Sequence, residues 1–294
     1  MSNPQNDARI WFLEEIVSLP LRLDQPLYRN YPGMKLGQLH LVDFFSQKLC
    51  VLAAEILRDD AEKSSRKNDW VVTAPAFYHV PSGANLLARR VHELLQQQDF
   101  SVLLLEPRLN QQQIAVRNLA EFERSNDYSK NQLQQRIVER QRVQELAQPD
   151  ALMSQFNNRQ ILIINDIYVT GTQQYFMQQS LHQFFAGECH WLYIFHVEST
   201  LARSHPEIEF QLNNSAISDL DSYAAIVADE RTQHTARCLS GLFGEDIENF
   251  RHVVSSLSPK AREEIFRLAE TEGRYCHPIF SEKMLLLAGE NHHM

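Results

Sequence analysis

A chain of 294 residues, 44% hydrophobic and 22% charged, has the composition of a folded protein and the length for one large domain or two modest ones. A formal net charge of −9 argues against a broad nucleic-acid surface but leaves room for a local basic pocket for a phosphorylated ligand. Cys50, Cys189, Cys238 and Cys276 are scattered, with no C-x-x-C pair, so neither a zinc site nor a disulfide scaffold is expected.

MSNPQNDARI lacks the basic start and apolar core of a signal peptide, and no run approaches the length of a membrane span. The expectation is a cytoplasmic protein with reduced thiols and no membrane contact. Residues 9–19 (RIWFLEEIVSL) and 38–58 (QLHLVDFFSQKLCVLAAEILR) carry apolar residues at helical spacing. The link between them, PLRLDQPLYRNYPGM, reads as an ordered loop because of its Pro, Gly and Tyr content. Residues 59–69 (DDAEKSSRKND) read as a polar connector.

Beyond that connector the period changes. WVVTAP, SVLLLEP, ILIIND and WLYIFHVE are short apolar runs, and helical stretches GANLLARRVHELLQQQ and QQYFMQQSLHQFFA follow the first and third. Strand–helix–strand repeated in this way predicts an α/β fold: a mostly parallel sheet flanked by helices, with strands buried on both faces. Residues 109–148 interrupt the pattern with a glutamine-rich, charge-mixed segment. Its spaced Ile114, Leu119, Phe122, Leu133, Ile137 and Val143 favour an ordered insertion laid over the sheet, with a helix from Leu133 to Ala147 stopped by Pro149. IEFQLNNSAI reads as an extended piece. DLDSYAAIVADE, HTARCLSGLFG, IENFRHVVSSL and SPKAREEIFRLAETEG then read as successive helices, the last capped by Ser258 with Pro259 at its first position. The expected organisation is a helical N-terminal extension (1–67), an α/β core (68–210) with a long insertion at 109–150, and a helical C-terminal extension (211–294).

The stretch ILIINDIYVTGTQ, residues 161–173, carries the most chemistry. Open α/β sheets bind ligands at the carboxyl ends of their strands, and Asn165 and Asp166 stand at such an end. Ionised Asp166 only accepts hydrogen bonds and Asn165 both donates and accepts, which suits a vicinal diol. The turn from Val169 through Thr170, Gly171 and Thr172 runs into a helix beginning near Gln173. Successive backbone N–H groups at such a turn, with the helix dipole behind them, cradle a phosphate. A diol grip beside a phosphate cradle describes a ribose 5-phosphate. The simpler alternative is a polar strand end followed by a Thr-capped helix.

ILIINDIYVTGTQ resembles the phosphoribosyl-pyrophosphate (PRPP) motif of the type I phosphoribosyltransferases. In that family four hydrophobic residues precede two acids, a hydrophobic pair, a variable residue and then Thr-Gly. The resemblance implies that Asp166 and Asn165 contact the ribose hydroxyls, as the catalytic pair. It implies that Val169, Thr170, Gly171, Thr172 and Gln173 hold the 5-phosphate. Asn165 departs from the motif by replacing an acid, and Gln173 stands where Thr or Ser is common.

WVVTAPAFYHVPSGANLLARRVHELL likewise resembles the family's first strand, pyrophosphate loop and first helix. Its Pro-containing loop and Gly-Asn-like helix start resemble those of the competence-protein-like members. The loop would be Ala74 to Tyr78, including Ala76 and Phe77, with Ser82, Gly83 and Asn85 at the helix start. Arg108, Arg117 and Arg124 are candidates for closing over pyrophosphate. The implied reaction transfers a phosphoribosyl group to a nitrogen nucleophile, with Mg²⁺ accompanying PRPP, no protein ligand directly assigned to it, and Asp166 as the candidate. The rival on the same fold is a ribose-phosphate or nucleotide-sensing regulator. A third possibility is a helical interaction module, and a homodimer or protein partner through the helical extensions fits each of these.

Overall fold

The computed structural model describes residues 8–63, 69–109, 159–182 and 189–289. Its strands are β1 (Ala8–Ile16), β2 (Trp70–Thr73), β3 (Val102–Leu104), β4 (Gln160–Ile164), β5 (Ile167–Tyr168) and β6 (Cys189–Val197). They order as β1-β6-β4-β2-β3, with β5 pairing β6 off that path, and each of these pairings is parallel. The α/β expectation is met: a parallel sheet flanked by helices.

The run ILII forms β4 because both of its faces are buried. Ile161 and Ile163 pack with Val71, Trp191 and Tyr193 on one face. Leu162 and Ile164 pack with Phe45, Leu87 and Val91 on the other. Burial of each such side chain contributes about 1.5–3 kcal/mol, so a charge at any of the four positions would be costly.

Helices α1 (Pro26–Leu36), α2 (Leu39–Lys63) and α3 (Gly83–Gln97) share the second of those cores with the sheet. α4 (Thr172–His182) supplies Leu181 and Met177 to the opposite face. After β6 come α5 (Ser199–Ser204), α6 (Ile208–Asn213), α7 (Leu220–Ala228), α8 (Ala236–Gly244), α9 (Ile247–Ser256), α10 (Pro259–Glu272) and α11 (Ser281–Ala288). Their own core is built on Phe243, Phe250, Tyr275 and Phe280, the rings of Phe243 and Tyr275 lying 4.2 Å apart. Asp219, Thr235, Asp246 and Ser258 cap α7 to α10, each accepting from a backbone N–H of the first turn. Each cap stabilises by roughly 1 kcal/mol. Leu36 and Val80 enter this core from the sheet side, and Thr235 Oγ1 donates to Lys35 O at 2.8 Å.

Four local expectations are corrected. Residues 9–19 were expected as a helix, but Ala8–Ile16 is an edge strand. Trp11 and Leu13 pack into one core and Ile10 into the other, an alternation that short apolar patterns do not separate from a helix. The long β6 decides the matter by pairing with β1 from Ala8↔Cys189 to Ile16↔Val197. The 20–34 link holds α1, which starts with Pro26 in its first turn and ends at Gly37 in the left-handed region. Burial of Tyr28, Tyr31 and Met34 outweighs the helix-breaking Pro32. The polar connector is shorter than read, because α2 continues to Lys63. IEFQLNNSAI is not extended, since its first residues form α6. α5 and α11 have no counterpart in the sequence reading, and nearly all of the expected insertion lies outside the described residues. Among the described residues no helix is long and apolar enough to cross a membrane.

Candidate functional site

From β2 the chain proceeds outward to β3, whereas from β4 it proceeds to β6 on the other side. The order therefore switches between β2 and β4, and the loops leaving these two adjacent strands flank the crevice where open sheets bind ligands.

The loop after β4 is fixed first by its main chain. Asn165 N donates to Leu192 O at 2.8 Å, and Asp166 O accepts from Ile194 N and Phe195 N at 3.0 and 3.1 Å. The side chains are then held almost completely inside. Asn165 is 2% exposed, and its Nδ2 donates to Gln173 Oε1 at 3.3 Å. The two residues that depart from the PRPP motif are thus bonded to each other.

Asp166 is 6% exposed. Its Oδ1 accepts from Ile167 N at 3.0 Å, and its Oδ2 accepts from Tyr31 Oη at 3.0 Å and from Lys35 Nζ. Lys35, with a side chain 14% exposed, also lies 4.0 Å from Glu209 Oε1. Burial works against ionisation of Asp166, but the Lys35 ammonium and the hydrogen bonds from Lys35 and Tyr31 hold its carboxyl below the usual range. Burial, reinforced by the neighbouring Asp166 and Glu209 charges, pushes the Tyr31 phenol well above its ordinary value. Tyr31 therefore remains a donor at neutral pH.

The turn that follows needs its glycine. Gly171 has φ +69°, and a Cβ there would approach Tyr168 Oη to 2.5 Å. The Thr170 and Thr172 hydroxyls are 2.8 Å apart and bonded to each other, and Tyr175 N donates to Gly171 O as α4 begins. Tyr193 Oη donates to Gln174 Oε1 at 3.1 Å. Residues 165–174, with Tyr193 and Glu209, line a depression of about 30 Å³. That is room for little more than one water molecule. The Asn165–Gln173 and Thr170–Thr172 hydrogen bonds thus engage the polar side chains of the turn with each other.

The loop after β2 is tied differently. Asn85 Nδ2 donates to Pro75 O at 3.0 Å, and Ser82 and Asn85 form a reciprocal capping box at the start of α3. Phe77 N donates to Pro107 O and Leu109 N to Phe77 O, at 3.2 and 2.9 Å. Arg108 stacks 3.8 Å from the Phe77 ring centroid and donates to Tyr78 O and His79 O at 3.3 and 3.2 Å. Phe77 and Arg108 thus gather in one cluster, with Ala76 next to Phe77 in the chain, and none of the three lines the depression of Asp166. Arg117 and Arg124 lie outside the described residues.

A divalent metal needs several oxygen ligands with open coordination. Here Asp166 Oδ2 is already committed to an ammonium and a phenol, and no group of three or more candidate ligands is found among the described residues. The side chains do not fit a protein-held Mg²⁺.

Tyr31, Lys35 and Glu209 were not anticipated from the sequence. Lys35 and Tyr31 lie 131 and 135 positions from Asp166, one just past and the other within the stretch read as a loop. Comparison with family models, curated proteins and solved structures finds no match.

Proposed function

We propose that the chain is a type I phosphoribosyltransferase-like protein that binds a ribose 5-phosphate ligand, PRPP or a nucleoside 5′-monophosphate, at the carboxyl end of β4. The observation that carries this reading is the run from Asn165 to Gln173 beside the switch point of a parallel sheet, with Gly171 in the left-handed region. Asp166 Oδ1 accepts one main-chain N–H, which leaves acceptor capacity for a ribose hydroxyl. The Thr170 and Thr172 hydroxyls, now bonded to each other, exchange that contact for phosphate oxygens. The N-terminal turn of α4 adds its dipole.

In the transferase form of this reading a nitrogen nucleophile attacks C1 of PRPP as pyrophosphate leaves. The chain contributes positioning and charge, because the leaving group is already activated. Mg²⁺ enters only as the counter-ion that PRPP carries. A second reading, a sensor that binds the ligand without transferring it, is favoured by the Asn165–Gln173 bond and by the ammonium that neutralises Asp166. The neutral Asn165 and the Lys35 ammonium both reduce the negative charge available to a cationic transition state.

Calorimetry with AMP, and with PRPP plus Mg²⁺, tests the shared claim. Saturable binding of either is expected, and the absence of both at millimolar concentration overturns it. Pyrophosphate release from PRPP in the presence of purine and pyrimidine bases separates transferase from sensor.

A further inference from the structure

The two oxygens of Asp166 are unequally engaged. Oδ1 accepts from Ile167 N, whereas Oδ2 accepts from both Tyr31 Oη and Lys35 Nζ. An ionised carboxylate offers about four acceptor positions, two on each oxygen, so Oδ1 keeps one and Oδ2 keeps none. A vicinal diol brings two donors. Asn165 is 2% exposed and its amide is already bonded to Gln173. The second hydroxyl therefore needs a place on Asp166 Oδ2, and one of the two donors there has to leave.

Tyr31 is fully buried, and its ring packs edge-on against Phe195 with centroids 5.4 Å apart. Lys35 carries its charge on a flexible stem and has a second carboxylate within reach. Glu209 Oε1 lies 4.0 Å from Lys35 Nζ, and Glu209 lines the same depression as Asp166. Closing that gap to a hydrogen bond of about 2.9 Å takes a shift of about 1 Å. The next residues along the chain from each, Leu36 and Phe210, line a second cavity of about 720 Å³. The two segments are thus not packed solid on every side, and a side chain there can move without straining a close-packed core. A buried ammonium that loses its counter-charge is strongly destabilising, and Glu209 spares Lys35 that loss.

We infer that Lys35 is a counter-ion that changes hands: it clamps Asp166 in the unliganded chain and passes to Glu209 when a ribose diol takes Asp166 Oδ2. Glu209 is then a positioning residue, acting on the ligand through Lys35. The inference rests on the ribose-phosphate reading above and adds to it the residue that frees the carboxylate.

Two double-mutant cycles test it in the full chain. In the first, calorimetry with AMP compares the effect of Glu209→Gln in the wild-type and Lys35→Met backgrounds. Where Lys35 is present the substitution should weaken AMP by about tenfold, because the displaced ammonium has lost its receiver. Where Lys35 is absent the loss should stay below about twofold. An equal loss in both backgrounds would mean that Glu209 touches the ligand itself, and no loss in either that Lys35 stays on Asp166; each result overturns the handover alone. A wild-type chain that binds no AMP overturns the ribose-phosphate reading and the ligand-driven handover with it. The second cycle needs no ligand. Asp166→Asn removes the charge that holds Lys35 and should send it to Glu209. Glu209→Gln should then lower the thermal midpoint by at least about 3 °C more in that background than in the wild type. Equal shifts would show that Glu209 does not receive Lys35 and overturn the proposal.

Discussion

Asp166 and Glu272 are both buried carboxylates at the carboxyl edge of the sheet, and each fastens a helix to one of the two loops that flank the crevice. Glu272, 1% exposed at the end of α10, accepts from His79 N and Val80 N at 3.3 and 3.0 Å, with Arg274 at 3.5 Å. There the loop supplies neutral main-chain donors and the helix supplies the charge. At Asp166 the arrangement is reversed: the loop supplies the charge, and α1 supplies Tyr31 and Lys35. Main-chain donors are fixed by the fold, whereas a phenol and an ammonium on long side chains can change partner. Asp166 also lines a depression, and Glu272 lines neither of the cavities described above. The same chemistry therefore serves anchoring in both loops, and in one of them the anchoring carboxylate also lines a depression.

The largest effects should come from removing either carboxylate. Asp166→Ala strands Lys35 and Tyr31 in a buried setting and should lower unfolding free energy by about 4 kcal/mol. Glu272→Ala leaves two N–H groups and Arg274 unpaired and should cost about 3 kcal/mol. Urea unfolding measures both losses. The contrast lies in binding: Glu272→Ala should keep AMP affinity within about twofold, whereas Asp166→Asn should lose about tenfold or more. A Glu272 variant that loses affinity as Asp166→Asn does would erase the distinction between the two loops.

A smaller effect lies in the acid limb of stability. The folded carboxyl of Asp166 titrates below its unfolded value of about 3.9. Its contribution is therefore complete above about pH 4 and is lost as pH falls through the lower folded value. Lys35→Met removes the main opposing charge and leaves burial, which raises the carboxyl. The acid limb of that variant should begin at higher pH, at about 1.4 kcal/mol for each unit of displacement. Thermal midpoints from pH 2 to 7 test this, and coincident limbs would show that Lys35 is not what holds Asp166 ionised.

What the sequence made legible follows from where the information sits. The β4 run and its turn are consecutive residues, so their order alone suggested a buried strand, a polar end and a glycine turn. The Ser258 cap of α10 is equally local. The partners of Asp166 are not, because Tyr31 and Lys35 reach it across more than 130 residues from a helix disguised by Pro32 and Gly33. β1 was hidden for a related reason: its strand character is decided by β6, which lies far along the chain. Local pattern singled out the loop after β4. Only the tertiary structure identified the cation already resting on that loop.

The smallest expected effect bears on the two departures from the motif. Asn165 and Gln173 look like separate losses in the sequence, but their side chains meet at 3.3 Å. If they act as one unit, replacing either should weaken the loop, and replacing both should cost less than the sum. A double-mutant cycle with Asn165→Asp and Gln173→Thr should therefore show a coupling of about 0.5–1 kcal/mol in urea unfolding. Asn165→Asp alone places a second carboxylate beside Asp166 with one ammonium to serve both, so one of the pair should titrate upward. The double replacement restores the residue types of the motif and frees position 173 to donate to phosphate. Its AMP affinity should exceed that of Asn165→Asp. Coupling within about 0.3 kcal/mol of zero would mean that the two positions are independent.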